Sequence, residues 1–266
     1  MLEKIQQVAF EAIEKASPVA LQYFRNHQLA IQDKRKNDAW DPVTVADKQT
    51  ERVIREVIHH YFPDHNILGE EEGHLQQNSD YEWVIDPIDG TRAFVTGIPL
   101  WGILLGVTYQ KKPLFGMMAQ PYLGEIFYGD GKTAFLRHQG QDRRLQTATL
   151  TDMAQGLCAS TSPDIYHTPQ DKAWFAQVKN ASCNVRYGTD CYGYMMLALG
   201  QVHYVFETGL SPYDIVPLLP IITGAGGVYS HPMGHDNIDD GAILVSANAT
   251  LHQKMLEQMR LKDENN

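Results

Sequence analysis

A run of β-forming apolar residues, Trp83-Val84-Ile85, is cut off by Asp86-Pro87 and followed by Ile88-Asp89-Gly90-Thr91-Arg92-Ala93-Phe94. Proline cannot donate to a sheet ladder, so the strand is expected to stop there with the Asp86 carboxylate pointing out of its carboxyl end. Asp89-Gly90-Thr91 reads as a turn that opens a short helix, whose first N–H groups have no intrahelical partners. A chain built around this stretch presents carboxylates beside backbone donors at a strand terminus. Hard oxygen ligands at that density favour Mg²⁺ over zinc, and a helix N-terminus suits phosphoryl oxygens. Asp-Pro and Asp-Gly are also ordinary turn residues, and taken alone they carry no more than that.

Further acids stand at the ends of expected elements. Gly69-Glu70-Glu71-Glu72-Gly73 follows a short strand, Asn66-Ile67-Leu68. Three consecutive glutamates make either a solvated loop or a turn in which a cation relieves the repulsion. Asp47 lies in the first turn of a helix that Thr44 can cap and that runs to about Tyr61 on an apolar face of Val53, Ile54, Val57 and Ile58. Asp214 opens an apolar helix, Ile215 to Ala225, closed by Gly226-Gly227. A helix dipole alone would favour either acid. Glu207 ends a strand shortly before Asp214.

Around these acids the pattern divides. A helix over residues 2–25 has Ile5, Val8, Ala9, Ala12, Ile13, Ala16 and Ala20 on one face, with Pro18 a point where it could kink. Strands over 100–109, 113–119 and 125–128 suggest an antiparallel meander, extended by 133–137 and 144–147. From about residue 150 strands alternate with helices: strands at 157–160, 184–187, 203–207 and 242–246, helices at 170–179, 190–199 and 250–261. This predicts an N-terminal α+β half, 1–149, with the metal motifs, and an α/β half, 150–266, packed together as one catalytic unit. A net charge of −10 over 266 residues argues against a nucleic-acid or acidic-membrane partner. Cys158, Cys183 and Cys191 have no metal-type spacing, and the odd count argues against a disulfide framework. With no signal-like leader and no apolar run long enough to span a bilayer, a cytoplasmic home is the expectation. The histidines show no HExxH spacing, and Gly224-Ala225-Gly226-Gly227 follows a helix and so is not a dinucleotide fingerprint.

Four separated motifs occur in order: Val43-Thr44…Asp47, Gly69-Glu70-Glu71, Asp86 to Thr91, and Glu207…Asp214 with Gly224-Ala225-Gly226-Gly227. In these the chain resembles the inositol monophosphatase superfamily along essentially its whole length. The resemblance implies an α+β fold, the layered α-β-α-β-α sandwich of the sugar-phosphatase type, and Mg²⁺-dependent hydrolysis of a small phosphate ester by a homodimer. It implies two or three Mg²⁺ per site. Glu70, Asp86 and the Ile88 carbonyl would hold one, Asp86, Asp89 and Asp214 a second, with Asp47 close by. Glu70, Thr91 and Asp89 would be catalytic, the first two orienting the attacking water, and the Gly90 and Thr91 N–H groups would hold phosphate. Glu71 and Glu72 stand behind Glu70 as candidates.

The stretch Tyr187-Gly188-Thr189-Asp190-Cys191-Tyr192-Gly193-Tyr194, with Thr91-Arg92-Ala93-Phe94 and Pro212-Tyr213-Asp214, looks like the histidinol-phosphate phosphatase branch. An extra acid beside Glu207 suits a cationic leaving group, so Asp190, Glu207, Arg92, Gly188 and Thr189 become the expected substrate contacts. The alternative for Asp190 is that it simply caps the helix it begins. Inositol monophosphatase, a broad sugar phosphatase, a 3′-nucleotidase of the same superfamily and a non-enzymatic dimeric binding module are the other readings.

Overall fold

The computed structural model describes residues 1–26, 31–33 and 42–260. Helix α1 (Leu2–Tyr23) buries the seven residues expected from their spacing and runs through Pro18. A ribbon of β1 (Ile31–Asp33) and β2 (Pro42–Thr44) leads into α2 (Val45–Tyr61). The charged residues 34–38 and Asp41 lie outside the described residues, and so does the side chain of Thr44, on which the expected cap rests. Helix α2 buries Ile54, Val57 and Ile58 but also Asp47, Thr50 and Glu51, while Val53 is only partly covered.

The chain then builds β3 (Asn66–Gly69), β4 (Gly73–Leu75), β5 (Tyr81–Asp89), the short helix α3 (Thr91–Val95), and β6 (Gly102–Tyr109), β7 (Lys112–Gln120), β8 (Glu125–Gly129), β9 (Ala134–His138) and β10 (Gln141–Arg144). They form one eight-stranded sheet, ordered β10-β9-β8-β7-β6-β5-β3-β4. All neighbours are antiparallel except β3 and β5. The last strand begins earlier than the expected 144–147. Gln139 (φ 52°) and Gly140 (φ 75°) both adopt positive φ, which makes a tight hairpin that returns the chain at once.

The second sheet uses β11 (Leu157–Ser160), α4 (Pro169–Ala181), β12 (Asn184–Tyr187), α5 (Asp190–Ala198), β13 (Tyr204–Glu207), α6 (Pro212–Ile215), α7 (Leu219–Gly224), β14 (Val228–Ser230), β15 (Ile243–Ser246) and α8 (Ala249–Arg260). Its order is β12-β11-β13-β15-β14, with β11 parallel to both β12 and β13 and the remaining pairs antiparallel. Among the described residues three apolar cores join five layers, the middle core reaching both sheets around the helices between them. Helices α1 and α2 cover one face of the larger sheet, α5, α6 and α7 lie between the sheets, and α4 and α8 cover the far face of the smaller one. This is the layered α-β-α-β-α arrangement.

The single helix expected over 215–225 is two short ones. Pro217 and Pro220 lack N–H groups and clash with a continuous helical backbone, so the chain breaks between α6 and α7. The break seats on a trough in the larger sheet. Gly106, Gly116 and Gly129 are register partners across β6, β7 and β8. A Cβ at Gly106 would stand 2.9 Å from Pro217 Cα, one at Gly129 2.6 Å from the Pro220 carbonyl oxygen, and one at Gly116 would overlap the Pro217 carbonyl. Backbone therefore packs on backbone, and this fixes where Asp214, just upstream, comes to lie.

Candidate metal centre

The strand β5 does not stop at Asp86 as its sequence suggests; it runs on to Asp89. Two features allow this. Pairing with β3 ends at the Gly69–Ile85 register, so Pro87 removes no ladder donor on that side. On the other side the register shifts, Asp86 facing Leu104 and Asp89 facing Gly102, so that β5 carries one more residue than β6. Side chains three apart on a regular strand point to opposite faces, and the extra residue brings both carboxylates to one. The Ile88 N–H donates to Asp86 Oδ1 at 3.0 Å, and the Thr91 hydroxyl donates to the Ile88 carbonyl at 3.0 Å. Gly90, at φ 80°, makes the turn into α3.

Asp214 arrives from α6, where its Oδ2 accepts the Ser211 N–H at 2.7 Å. One carboxylate oxygen from each of Asp86, Asp89 and Asp214 falls within 4.8 Å of the other two. Each acid is anchored by a backbone N–H, since Asp89 Oδ2 accepts from Cys191 at 2.7 Å. Asp86 is 2% exposed. Burial first, then the charges of Glu70, Asp89, Asp214 and Asp47, push its carboxyl well above the usual carboxylate range. Burial and the neighbouring acids raise Asp89 to about 7, against the Cys191 hydrogen bond. Burial likewise raises Asp214 to about 7, with Glu70 adding to it. Clustered hard oxygens whose own charges oppose ionisation fit a divalent cation of the Mg²⁺ kind.

Glu70 and Asp47 stand outside this trio. Glu70 is half-buried in the turn beside β5, its N–H donating to the Ile85 carbonyl at 3.2 Å, so it sits next to Asp86 and its charge reaches both Asp86 and Asp214. Asp47 is buried in the first turn of α2, and its charge also reaches Asp86.

A cleft of about 330 Å³ opens beside Asp89 and Asp214. Asp89, Gly90, Thr91 and Arg92 line one side, Asp190, Glu207 and Asp214 another. Asp190 begins α5 with φ 43°, a left-handed conformation that an L residue rarely adopts. The N-cap is Thr189, without a side-chain cap bond, so Asp190 is not a capping residue. Instead its carboxyl bonds Thr161 and feels the charge of Arg92, both of which lower its pKa, while burial outweighs them and raises it to about 6. Glu207, 2% exposed, accepts the Thr161 N–H at 2.6 Å and the Tyr194 hydroxyl at 2.9 Å, and burial pushes it to about 7. Gly188 and Thr189 do not line the cleft. Thr161, Ile165, His167 and Thr208 do, without having been expected. Thr161 and Thr208 directly follow β11 and β13, and the crevice beyond the carboxyl ends of parallel strands is where α/β sheets place ligands. That rule would have found both.

Among the described residues no helix is long and apolar enough to cross a membrane. The chain is 33% identical over 270 residues to the bifunctional phosphatase IMPL2, chloroplastic, of Arabidopsis thaliana, covering 97% of this chain and 75% of that protein. It is 32% identical to the histidinol-phosphatase of Chlorobaculum parvum, covering 94% of each. Its fold superposes on an inositol monophosphatase from Zymomonas mobilis with a TM-score of 0.84 and 28% identity, covering 97% of this chain and 98% of that one. The profile of the inositol monophosphatase family matches residues 1–264, and the chain belongs to that family of metal-dependent phosphatases.

Proposed function

We propose that this phosphatase hydrolyses L-histidinol phosphate to L-histidinol and phosphate. The observation that carries this reading is an acidic wall to the cleft: Asp190 lines the same cleft as Asp89 and Asp214, while Glu207 behind it is held by Thr161 and Tyr194. A leaving group bearing an amine and an imidazole gains from such a wall, whereas a neutral polyol does not. The likeness to a histidinol-phosphatase across 94% of both chains agrees with it.

In this reading Asp86, Asp89 and Asp214, with Glu70 and the Ile88 carbonyl, would hold Mg²⁺. The cation supplies, when bound, the positive charge that draws an anionic ester against acidic residues and acidifies water. Glu70 and the Thr91 hydroxyl orient the attacking water and Glu70 takes up its proton; as the new P–O bond forms the ester P–O bond breaks, and the leaving alkoxide takes a proton from water. The Gly90 and Thr91 N–H groups hold the nonbridging phosphate oxygens as charge develops. Asp190 receives the cationic leaving group, Arg92 guards the mouth of the cleft, and Glu207 braces Thr161 and Tyr194 behind it. Residues 1–149 and 150–266 act as one unit, because Asp86 and Asp89 come from the first and Asp190, Glu207 and Asp214 from the second. We place the enzyme in the cytoplasm as a homodimer, and sedimentation of the purified protein checks the dimer.

Turnover of a panel of phosphate esters with Mg²⁺ tests the assignment. Histidinol phosphate should show the highest kcat/KM, and a preference for inositol or another sugar phosphate would overturn it.

A further inference from the structure

Helix α2 carries a carboxylate that the acidic centre does not use. Glu51 is fully buried, one turn beyond Asp47. Its Oε2 accepts the Glu71 N–H at 2.7 Å, and its Oε1 accepts the Glu72 N–H at 3.1 Å and the Arg55 Nε–H at 2.7 Å. The Arg55 guanidinium continues to the Gly73 carbonyl and lies 3.6 Å from the Glu72 carboxylate. One turn of α2 thus grips the acidic turn residue by residue from Glu71 to Gly73. A fourth acid beside three glutamates is tolerated because the guanidinium balances it and backbone donors fill its remaining positions.

Gly69 is the other half of the device. A Cβ there would overlap the Glu51 carboxylate and stand 2.6 Å from Arg55 Nη2. The glycine before the acidic turn therefore keeps open the slot through which the α2 carboxylate reaches the turn.

Resting on the phosphatase reading above, we propose that Glu51 is a positioning residue for Glu70, that Arg55 braces it, and that Gly69 is small to admit it. Without the clamp, three adjacent glutamates repel, the turn opens, and Glu70 leaves its place beside Asp86. Outer partners of this kind are worth roughly ten- to a hundredfold in metal affinity or activity when removed.

The test compares wild type, Glu51→Gln, Gly69→Ala and the double variant Glu51→Ala/Gly69→Ala. Three quantities are read: Mg²⁺ binding by calorimetry, the Mg²⁺ dependence of kcat against KM, and hydrogen exchange of the amides of residues 70–73. Glu51→Gln should raise the Mg²⁺ concentration for half-activity about tenfold or more, with little change in KM for the ester at saturating Mg²⁺. The Glu71 and Glu72 amides should exchange faster. Gly69→Ala should reproduce both effects, and its penalty should vanish in a Glu51→Ala background. A lowered Tm with unchanged Mg²⁺ response would overturn the positioning role, and additive penalties would overturn the slot. Should Glu51→Gln fail to fold, unprotected Glu71 and Glu72 amides in the wild type would refute the clamp. A wild type that turns over no ester would sink the phosphatase reading alone, since calorimetry and exchange still decide the clamp.

Discussion

Asp86, Asp89 and Asp214 each accept one backbone N–H and turn carboxylate oxygens on one another within 4.8 Å, whereas Glu207, in the same cleft, has both oxygens engaged by Thr161 and Tyr194. Asp190 stands between these cases, tied to Thr161 and facing the charge of Arg92. Burial raises the pKa of all of them, yet the local chemistry differs. In the trio each acid feels further carboxylates, Glu70 most strongly at Asp86 and Asp214 and Asp190 at Asp89, an arrangement that is unfavourable until a cation enters. Glu207 instead has both oxygens engaged by neutral donors, although burial still outweighs them and raises its pKa. A carboxylate in a cleft is thus read by what faces its oxygens: fixed neutral donors on both oxygens make a strut, and oxygens turned on other acids leave coordination capacity.

The sharpest way to break this contrast is to neutralise one member of the trio. Asp89→Asn should lower kcat on the order of a hundred- to a thousandfold, and chelation should abolish turnover of the wild type until Mg²⁺ is restored. Full activity in excess chelator would erase the distinction. Asp190→Asn should cost about 1.5–3 kcal/mol in kcat/KM for histidinol phosphate, the worth of a hydrogen bond to a charged group, and change little for glycerol phosphate. Equal losses on both esters would mean that Asp190 serves the geometry of the cleft. Glu207→Ala should act on stability, each orphaned donor costing about 1–3 kcal/mol in denaturant unfolding. Kinetics that collapse without a loss of stability would move Glu207 from strut to ligand.

The smallest effects concern the metal-free protein. Asp89, Asp214 and Glu207 have folded pKa values of about 7, raised above their unfolded ones. Between the ordinary carboxylate range and about 7 the native state therefore binds more protons than the unfolded state, and stability must fall as pH rises through that window. Tm of the apoprotein should be higher at pH 5 than at pH 8, and Mg²⁺ should reduce the difference. Asp89→Asn should itself raise the apoprotein Tm, by about 2–4 °C for each kcal/mol of repulsion relieved. A pH-independent Tm without Mg²⁺ would show that the trio is not strained.

Local pattern carried much of this molecule. The buried face of α1, the strands β11 and β12, and the acids at element ends could be read directly, because helical spacing and strand terminators are properties of short segments. What could not be read depends on partners distant in sequence. The continuation of β5 past Pro87 relies on β3 ending where it does and on an extra residue opposite β6. The break between α6 and α7 is written in Pro217 and Pro220, but apolar periodicity concealed it. Asp190, expected as a substrate contact, could also have been a cap because its residue type suits one; only its backbone conformation and the position of Thr189 show otherwise. Glu51 carried no motif, since its role lies in the backbone amides it meets.

The glycine trough bears on the order in which the molecule assembles. A surface lined by Gly106, Gly116 and Gly129 exists only once β6, β7 and β8 are in register, so Pro217 and Pro220 cannot seat before those strands have paired. Contacts so distant in sequence form late, after the loops they close have been restricted. Asp214 is then the last of the three carboxylates to arrive. In refolding, recovery of Mg²⁺ binding is expected to trail recovery of the β-sheet circular dichroism signal, and a chain halted before Asp214 would stay inert toward phosphate esters however well its meander had formed.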